Sequence, residues 1–383
     1  MTSDYHHEAA IAPGVSAYYH IPSVWVATAP SDEEFVQAPI AQLIRDEIST
    51  ALHHGIRARV RRDGLFVFDC TSWGLAGATE IPPYSTPASG GTVPGAVTRA
   101  EEAAEERATQ RTLLMNAHQA CLSSAHYAVH GRSCELGAMV LPSRSINLID
   151  FLQNDLGSLG SHDPYHRYVQ HLVGFTRGRR TPDLQRRSLL ELDTVEYSFR
   201  LLDAVLRSGL DGHLQLVELL YRAGIQCSEN RFAESLILSW AVCERLLDVL
   251  WERYMTRPRH VSSPLTSKRR KKLTGRDYTA SVILEILELG DQLSPELFSA
   301  ADRARQTRNS WLHSLAEVSP NNALFALNAA QDLMKAVTGV AITISVQWQS
   351  SHIGLPKRFF KPDGSADWDA LRAAALSSSR TNG

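Results

Sequence analysis

SPELFSAADRARQTRNSWLHSL, residues 294–315, reads as a single amphipathic helix, and its reading decides the rest of the chain. It begins at Ser294-Pro295-Glu296, and Leu297, Ala301, Ala304, Trp311 and Leu315 then recur every three or four residues, which marks a buried stripe. Arg308 falls on that stripe. A guanidinium that faces packing instead of water needs a structural partner or a ligand anion.

His313 follows Arg308 in the run Arg308-Asn309-Ser310-Trp311-Leu312-His313. The pair joins a permanent cation to the one side chain that titrates near neutral pH, the minimum apparatus for cutting a phosphodiester. At roughly 100° per residue on an ideal helix the two side chains project about 140° apart, while Asn309 and His313 share one face a turn apart. Convergence therefore requires the arginine to curl across, the helix to deform, or a second subunit to contribute.

Working outward, the same periodicity predicts helices near Thr194–Ser208, Asp211–Ala223, Glu229–Tyr254, Thr279–Leu289 and Asn321–Gly339. On the third of these, Ala233, Leu236, Trp240, Cys243, Leu247, Leu250 and Tyr254 form the seam of a packed bundle helix. The first part of the chain is mixed. Ser23–Ala27 reads as a short strand, Ala38–His53 as an amphipathic helix, and Ile56–Cys70 as a hairpin with a two-residue turn at Asp63-Gly64. Ile81–Gly95, rich in Pro, Gly, Ser and Thr, reads as a loop or linker, and Ala96–His130 as a long helix. The basic stretch Phe175–Arg187 is the expected boundary. The fold class is thus α+β: a mixed α/β domain over 1–190 with a sensing or regulatory role, an all-α bundle over 191–350, and an extension over 351–383 that is mobile at its end.

With the helical context in place, the Arg308–His313 motif resembles that of the HEPN domains, helical bundles whose ribonuclease members carry Arg, four to six residues, then His, often with a polar residue straight after the Arg. The helix from Asn230 through Glu244-Arg245-Leu246-Leu247 is similar to the first long helix of such domains, with an acidic residue among apolar ones. The resemblance covers about Asp193 to Val346, less than half of the chain.

The resemblance implies a metal-independent endoribonuclease with Arg308, Asn309, His313 and Glu244 as its catalytic set. RNA suits this pair because the ribose 2′-OH is a built-in nucleophile once a base takes its proton. His313 serves as that base or as the acid for the leaving 5′ oxygen, Arg308 meets the charge on the phosphate, and Asn309 orients one of them. The scheme calls for no cofactor and no metal. The resemblance further implies a homodimer with two motifs facing across one cleft, tRNA or messenger RNA as the substrate, and a toxin or anti-phage defence role whose trigger the N-terminal domain senses. The rival readings are a HEPN-type scaffold that binds RNA or nucleotides without cutting, with Arg308 in a salt bridge to Glu244, and an unrecognised enzyme site in the N-terminal domain.

Composition bounds these readings. With 383 residues, 44% hydrophobic and 21% charged, the chain has the makeup of a globular protein of two or three domains, and its formal net charge of -2 means that any polyanion site must be local. Cys70, Cys121, Cys134, Cys227 and Cys243 form no CxxC pair, which points to reduced thiols and a cytoplasmic protein. Neither a signal peptide nor a membrane span is expected.

Lys268-Arg269-Arg270-Lys271-Lys272 is the candidate RNA-binding run, either tracking a phosphate backbone or forming a solvated loop. His118, Cys121, His126, His130 and Cys134 include i, i+4 spacings open to zinc, with an exposed helix face as the plainer reading. No GxGxxG, GxxxxGK[ST], Gly-x-Ser-x-Gly or His-Glu-x-x-His is present, which disfavours the nucleotide loops, serine hydrolases and metalloproteases those motifs mark.

Overall fold

The computed structural model describes residues 15–20, 24–39, 42, 45–73, 94–131, 187–256, 266–275 and 278–346. The chain forms two compact units, Met1–Val346 and Gln347–Gly383. All described residues lie in the first; the linker Ile81–Gly95 up to residue 93, most of the basic stretch before Arg187, and the extension over 351–383 lie outside them.

Near the N-terminus, β1 (Val15–Tyr19), β3 (Asp46–Ala51), β4 (Arg57–Arg61) and β5 (Leu65–Asp69) make an antiparallel sheet in the order β1-β5-β4-β3. The reason is visible in the side chains. In β4, Ala58 and Val60 point inward while Arg57 and Arg59 are exposed, so one face is buried; β5, Leu-Phe-Val-Phe, is buried along its length. The β4–β5 connection is Arg62–Gly64, three residues and not the expected two. Gly64 N donates to Arg61 O, and only Gly64 takes positive φ (+83°), the pattern of a type I turn ended by a left-handed glycine. A Cβ there would sit 2.8 Å from Val24 O, so no other residue fits.

The single helix expected over Ala38–His53 does not form: among its described residues only Gln42 is α-helical, and Asp46–Ala51 is a strand. The helix is α1 (Asp32–Gln37), capped by Ser31 and ended at Ala38, whose extended ψ of 144° is what a following proline, Pro39, enforces. The later part of that stretch, including β-branched Ile48 and Thr50, pairs instead with β4 in β3. A parallel pair, β2 (Val24–Val26) with β6 (Ser188–Leu190), lies beside this sheet.

Eight further helices complete the described architecture: α2 (Pro94–His130), α3 (Leu192–Arg207), α4 (His213–Ser228), α5 (Phe232–Thr256), α6 (Ser267–Leu273), α7 (Ala280–Leu289), α8 (Pro295–Ser314) and α9 (Pro320–Thr338). The architecture is therefore α+β, a sheet region followed by a mostly helical part. Helix α2 packs on α3 and α4, α4 and α9 pack on α5, and α8 packs on α5, α7 and α9. Buried residues run continuously from Tyr18 and Phe66 through Leu122 and Phe199 to Trp240 and Leu333. The α5 seam buries Leu236, Trp240, Cys243 and Leu247 as its spacing predicts, while Leu250 and Tyr254 are half-buried. Gly224 on α4 permits the tightest approach in the bundle: a Cβ there would lie 2.3 Å from Ile344 Cγ2.

Candidate active site

Helix α8 starts where the sequence says it should. Ser294 Oγ accepts from Leu297 N at 3.2 Å, Pro295 fills the first turn where its missing N–H costs nothing, and Glu296 sits at the positive end of the helix dipole. It ends at Leu315, left-handed at φ 50°. Ala301 and Ala304 are buried, and Leu297 and Trp311 pack partly against the core. The expected stripe stops there: Leu315 is 79% exposed, because the left-handed residue turns the chain away from the bundle.

Three arginines on this helix show different commitments. Arg305 pairs with Asp302 at 2.7 Å, and Arg303 lies over the Phe325 ring at 4.2 Å and donates to Asn322 Oδ1. Arg308 is half-buried, and its Nη1 donates to Asn309 Oδ1 at 2.9 Å. Among the described residues no carboxylate pairs with Arg308. Glu244, on α5, is exposed and forms no described ion pair with it. His313 is exposed in the last turn of α8. The bond to Asn309 ties the guanidinium to a side chain one helical turn from His313. The structure thus brings Arg308 and Asn309 together, leaves His313 open to solvent on the Asn309 face, and does not tie Glu244 to them.

The basic run forms α6, a short helix and not the loop that was the plainer expectation. Lys268, Lys271 and Lys272 are exposed; Arg269 lies in the same helix; Arg270 is engaged by Glu252 of α5, so it is not a free phosphate ligand. Trp251 Nε1 donates to Leu273 O at 3.1 Å, a second tie between α5 and the end of α6.

Arg187, the last residue of the basic stretch, is structural. It is buried, lies over the Trp25 ring at 4.8 Å and donates to Asp63 O, clamping the start of β6 to the hairpin turn. His118 faces the core and not solvent, with Nδ1 2.6 Å from Tyr18 OH and Nε2 3.0 Å from Ser198 Oγ, so neither ring nitrogen is open to a metal. Cys121 is fully buried, and burial pushes its thiol pKa up; Cys134 lies outside the described residues. Among the described residues no group of three or more His, Cys, Asp or Glu is arranged to hold a metal ion. Cys70, Cys121, Cys227 and Cys243 are all unpaired and buried, and no described helix is long and apolar enough to cross a membrane.

Comparison with protein-family models, with curated proteins and with solved structures returns no match to this chain.

Proposed function

We propose that the helical part is a HEPN-like endoribonuclease whose site is built on α8 from Arg308, Asn309 and His313, with Glu244 on the neighbouring α5. One observation carries the reading: Arg308, alone of the three arginines described on α8, is held only by its neighbour Asn309, which turns its fork of donors toward the face where His313 is exposed. A planar cation set beside an accessible imidazole, with no described carboxylate neutralising it, suits an anionic ligand that must also exchange protons.

In the proposed reaction neutral His313 takes the proton from a ribose 2′-OH as that oxygen attacks phosphorus. The bond from phosphorus to the 5′ oxygen breaks, the leaving oxygen is protonated by the imidazolium of a second copy's His313, and the products are a 2′,3′-cyclic phosphate and a 5′-hydroxyl. Arg308 stabilises the added negative charge on the phosphoryl oxygens, an interaction strongest in the transition state. The working unit in this reading is a cytoplasmic homodimer, its RNA is tRNA or messenger RNA, and its role is that of a toxin or anti-phage effector governed by the N-terminal region.

The test is incubation of the purified full chain with total RNA in the presence of a chelator, followed by sizing and end analysis of the products. New fragments with cyclic phosphate ends, lost in His313→Ala, are expected. RNA that stays intact but comigrates with the protein would assign the bundle to the non-catalytic binding scaffold instead.

A further inference from the structure

Between α5, α6 and α7 lies a cavity of about 490 Å³ to whose lining none of the described residues of α8 contributes. Its volume falls within the range of roughly 300–1,000 Å³ typical of small-molecule sites. Trp251 and Tyr278 line it, their rings stacked with centroids 5.7 Å apart and planes 26° from parallel. Trp251 is fixed by its bond to Leu273 O, and Tyr278, half-buried, retains exposed surface. Leu273 and Thr274, at the end of the basic helix α6, form another wall.

The polar lining is unequally committed. Glu252 is engaged by Arg270, and Arg253 donates to Val337 O at 2.7 Å. Arg245 approaches only the fully exposed Asp211, at 3.6 Å. Asp248 has no hydrogen bond or ion pair to any described residue, and burial pushes its carboxyl pKa up despite the opposing field of Arg245. An exposed carboxylate with no described partner, beside stacked rings and with cations at the rim, is an idle device for stability. It is a suitable one for a flat ligand that presents two adjacent donors and carries a phosphate.

The geometry points to a guanine-nucleotide site: the base stacks on Tyr278, its N1–H and N2 amino group donate to the two oxygens of Asp248, and its phosphate lies toward Lys271 and Lys272 at the end of α6. The base choice follows from donor pattern. An ionised carboxylate only accepts, and guanine alone among the four RNA bases offers two neighbouring donors on its pairing edge; adenine and cytosine place a ring acceptor beside their single amino group, and uracil flanks its one N–H with carbonyls. Stacking on the aromatic wall is tolerant of base identity, so selectivity rests on Asp248. The site takes the same chemistry from a free guanine nucleotide or from a guanosine in single-stranded RNA, and the second case rests on the ribonuclease reading above.

The experiment separates that reading from this one, because GMP has no internucleotide bond to cut and 2′-O-methylated RNA has no nucleophile. The full-length protein is titrated with GMP, AMP, CMP and UMP by calorimetry and by tryptophan fluorescence. GMP is expected to bind about tenfold or more tighter than the others, the discrimination a good bidentate pair supplies. Asp248→Asn should erase that preference, since an amide gives one acceptor and one donor and suits adenine better. The preference should also fade on acidification as Asp248, its carboxyl pKa raised by partial burial, is protonated. Tighter binding of a guanosine-containing 2′-O-methyl oligonucleotide than of GMP, weakened by Lys271→Ser with Lys272→Ser, identifies RNA as the source; the reverse order identifies a free nucleotide. Equal affinity for all four nucleotides, no binding of any, or a guanine preference that survives Asp248→Asn overturns the site whether or not the protein cuts RNA.

Discussion

Arg308 and Asn309 are adjacent in sequence and joined through their side chains, Nη1 to Oδ1 at 2.9 Å, so the amide acts as a rest for the guanidinium on the side of the helix where His313 lies. Adjacent residues on a helix diverge by roughly 100°, so only a long side chain folded across the surface makes this bond. The expected consequence is that the two residues contribute differently to cleavage. Arg308→Lys retains the charge without the fork and should slow single-turnover cleavage by about 10²–10³, as loss of a transition-state donor does. Asn309→Ala keeps the fork and loses only its aim, with a smaller loss of up to about a hundredfold. Equal losses in the two variants would mean that Asn309 does more than position the arginine.

His313 is exposed and its removal disturbs no packing. His313→Ala should therefore leave thermal stability within about 0.5 kcal/mol of the parent while lowering cleavage by about 10²–10⁴, the usual contribution of a general acid or base. A folded His313→Ala protein that cuts RNA at the parent rate removes the histidine from the mechanism.

On α6, three lysines are available and one arginine is not, since Arg270 is engaged by Glu252. Replacing Lys268, Lys271 and Lys272 together with Ser should flatten the salt dependence of single-stranded RNA binding by up to about 2 logarithmic units of slope, at about 0.7 per phosphate contact. Replacing Arg270 alone acts differently: it frees Glu252 and loosens α6 from α5, so it should lower stability and change the slope little. Filter binding across a salt series, paired with urea titration, distinguishes the two.

How much of this was readable beforehand depends on how local the signal is. Helix α8 ends one residue from its expected limit, because Ser294-Pro295 and the run of periodic apolar residues are all within one element. The strand β1, Val15–Tyr19, and the short β6 were not anticipated; each is defined by a partner far along the chain, Asp69 to Leu65 for β1 and Val24 to Val26 for β6, and three residues of β6 carry no periodicity of their own. Pairing with β4 likewise overrode the helical pattern around Asp46–Ala51. At the candidate site, Arg308, Asn309 and His313 could be picked out together because they sit on one helix. The Glu252–Arg270 pair and the Asp248, Trp251 and Tyr278 cavity join separate elements, so no spacing announced them.

His118 shows the same limit and yields the last prediction. It belongs to the histidine and cysteine group whose i, i+4 spacings are open to zinc, yet the ring is fully buried among Phe66, Phe68 and Phe199, with centroids 5.0, 5.1 and 4.9 Å away. Ser198 Oγ donates to Val195 O at 2.7 Å, so it accepts from His118 Nε2–H, and Nδ1 is left to accept from Tyr18 OH. Accepting at Nδ1 requires the neutral imidazole, and burial, aided by His20, lowers its pKa from 6.5 to about 3. The unfolded chain therefore binds a proton that the folded chain refuses between these values, so stability is complete above pH 6.5 and falls as the pH drops below it. Between pH 6.5 and 4.5 this one group should cost about 2–3 kcal/mol. His118→Gln removes the titrating ring. It should cost about 1–3 kcal/mol at neutral pH through the lost hydrogen bonds, yet show a shallower decline in acid, one proton less on unfolding. Urea midpoints measured from pH 7 to 4.5 for both proteins check this, and parallel curves would mean that His118 is not the group the fold holds neutral.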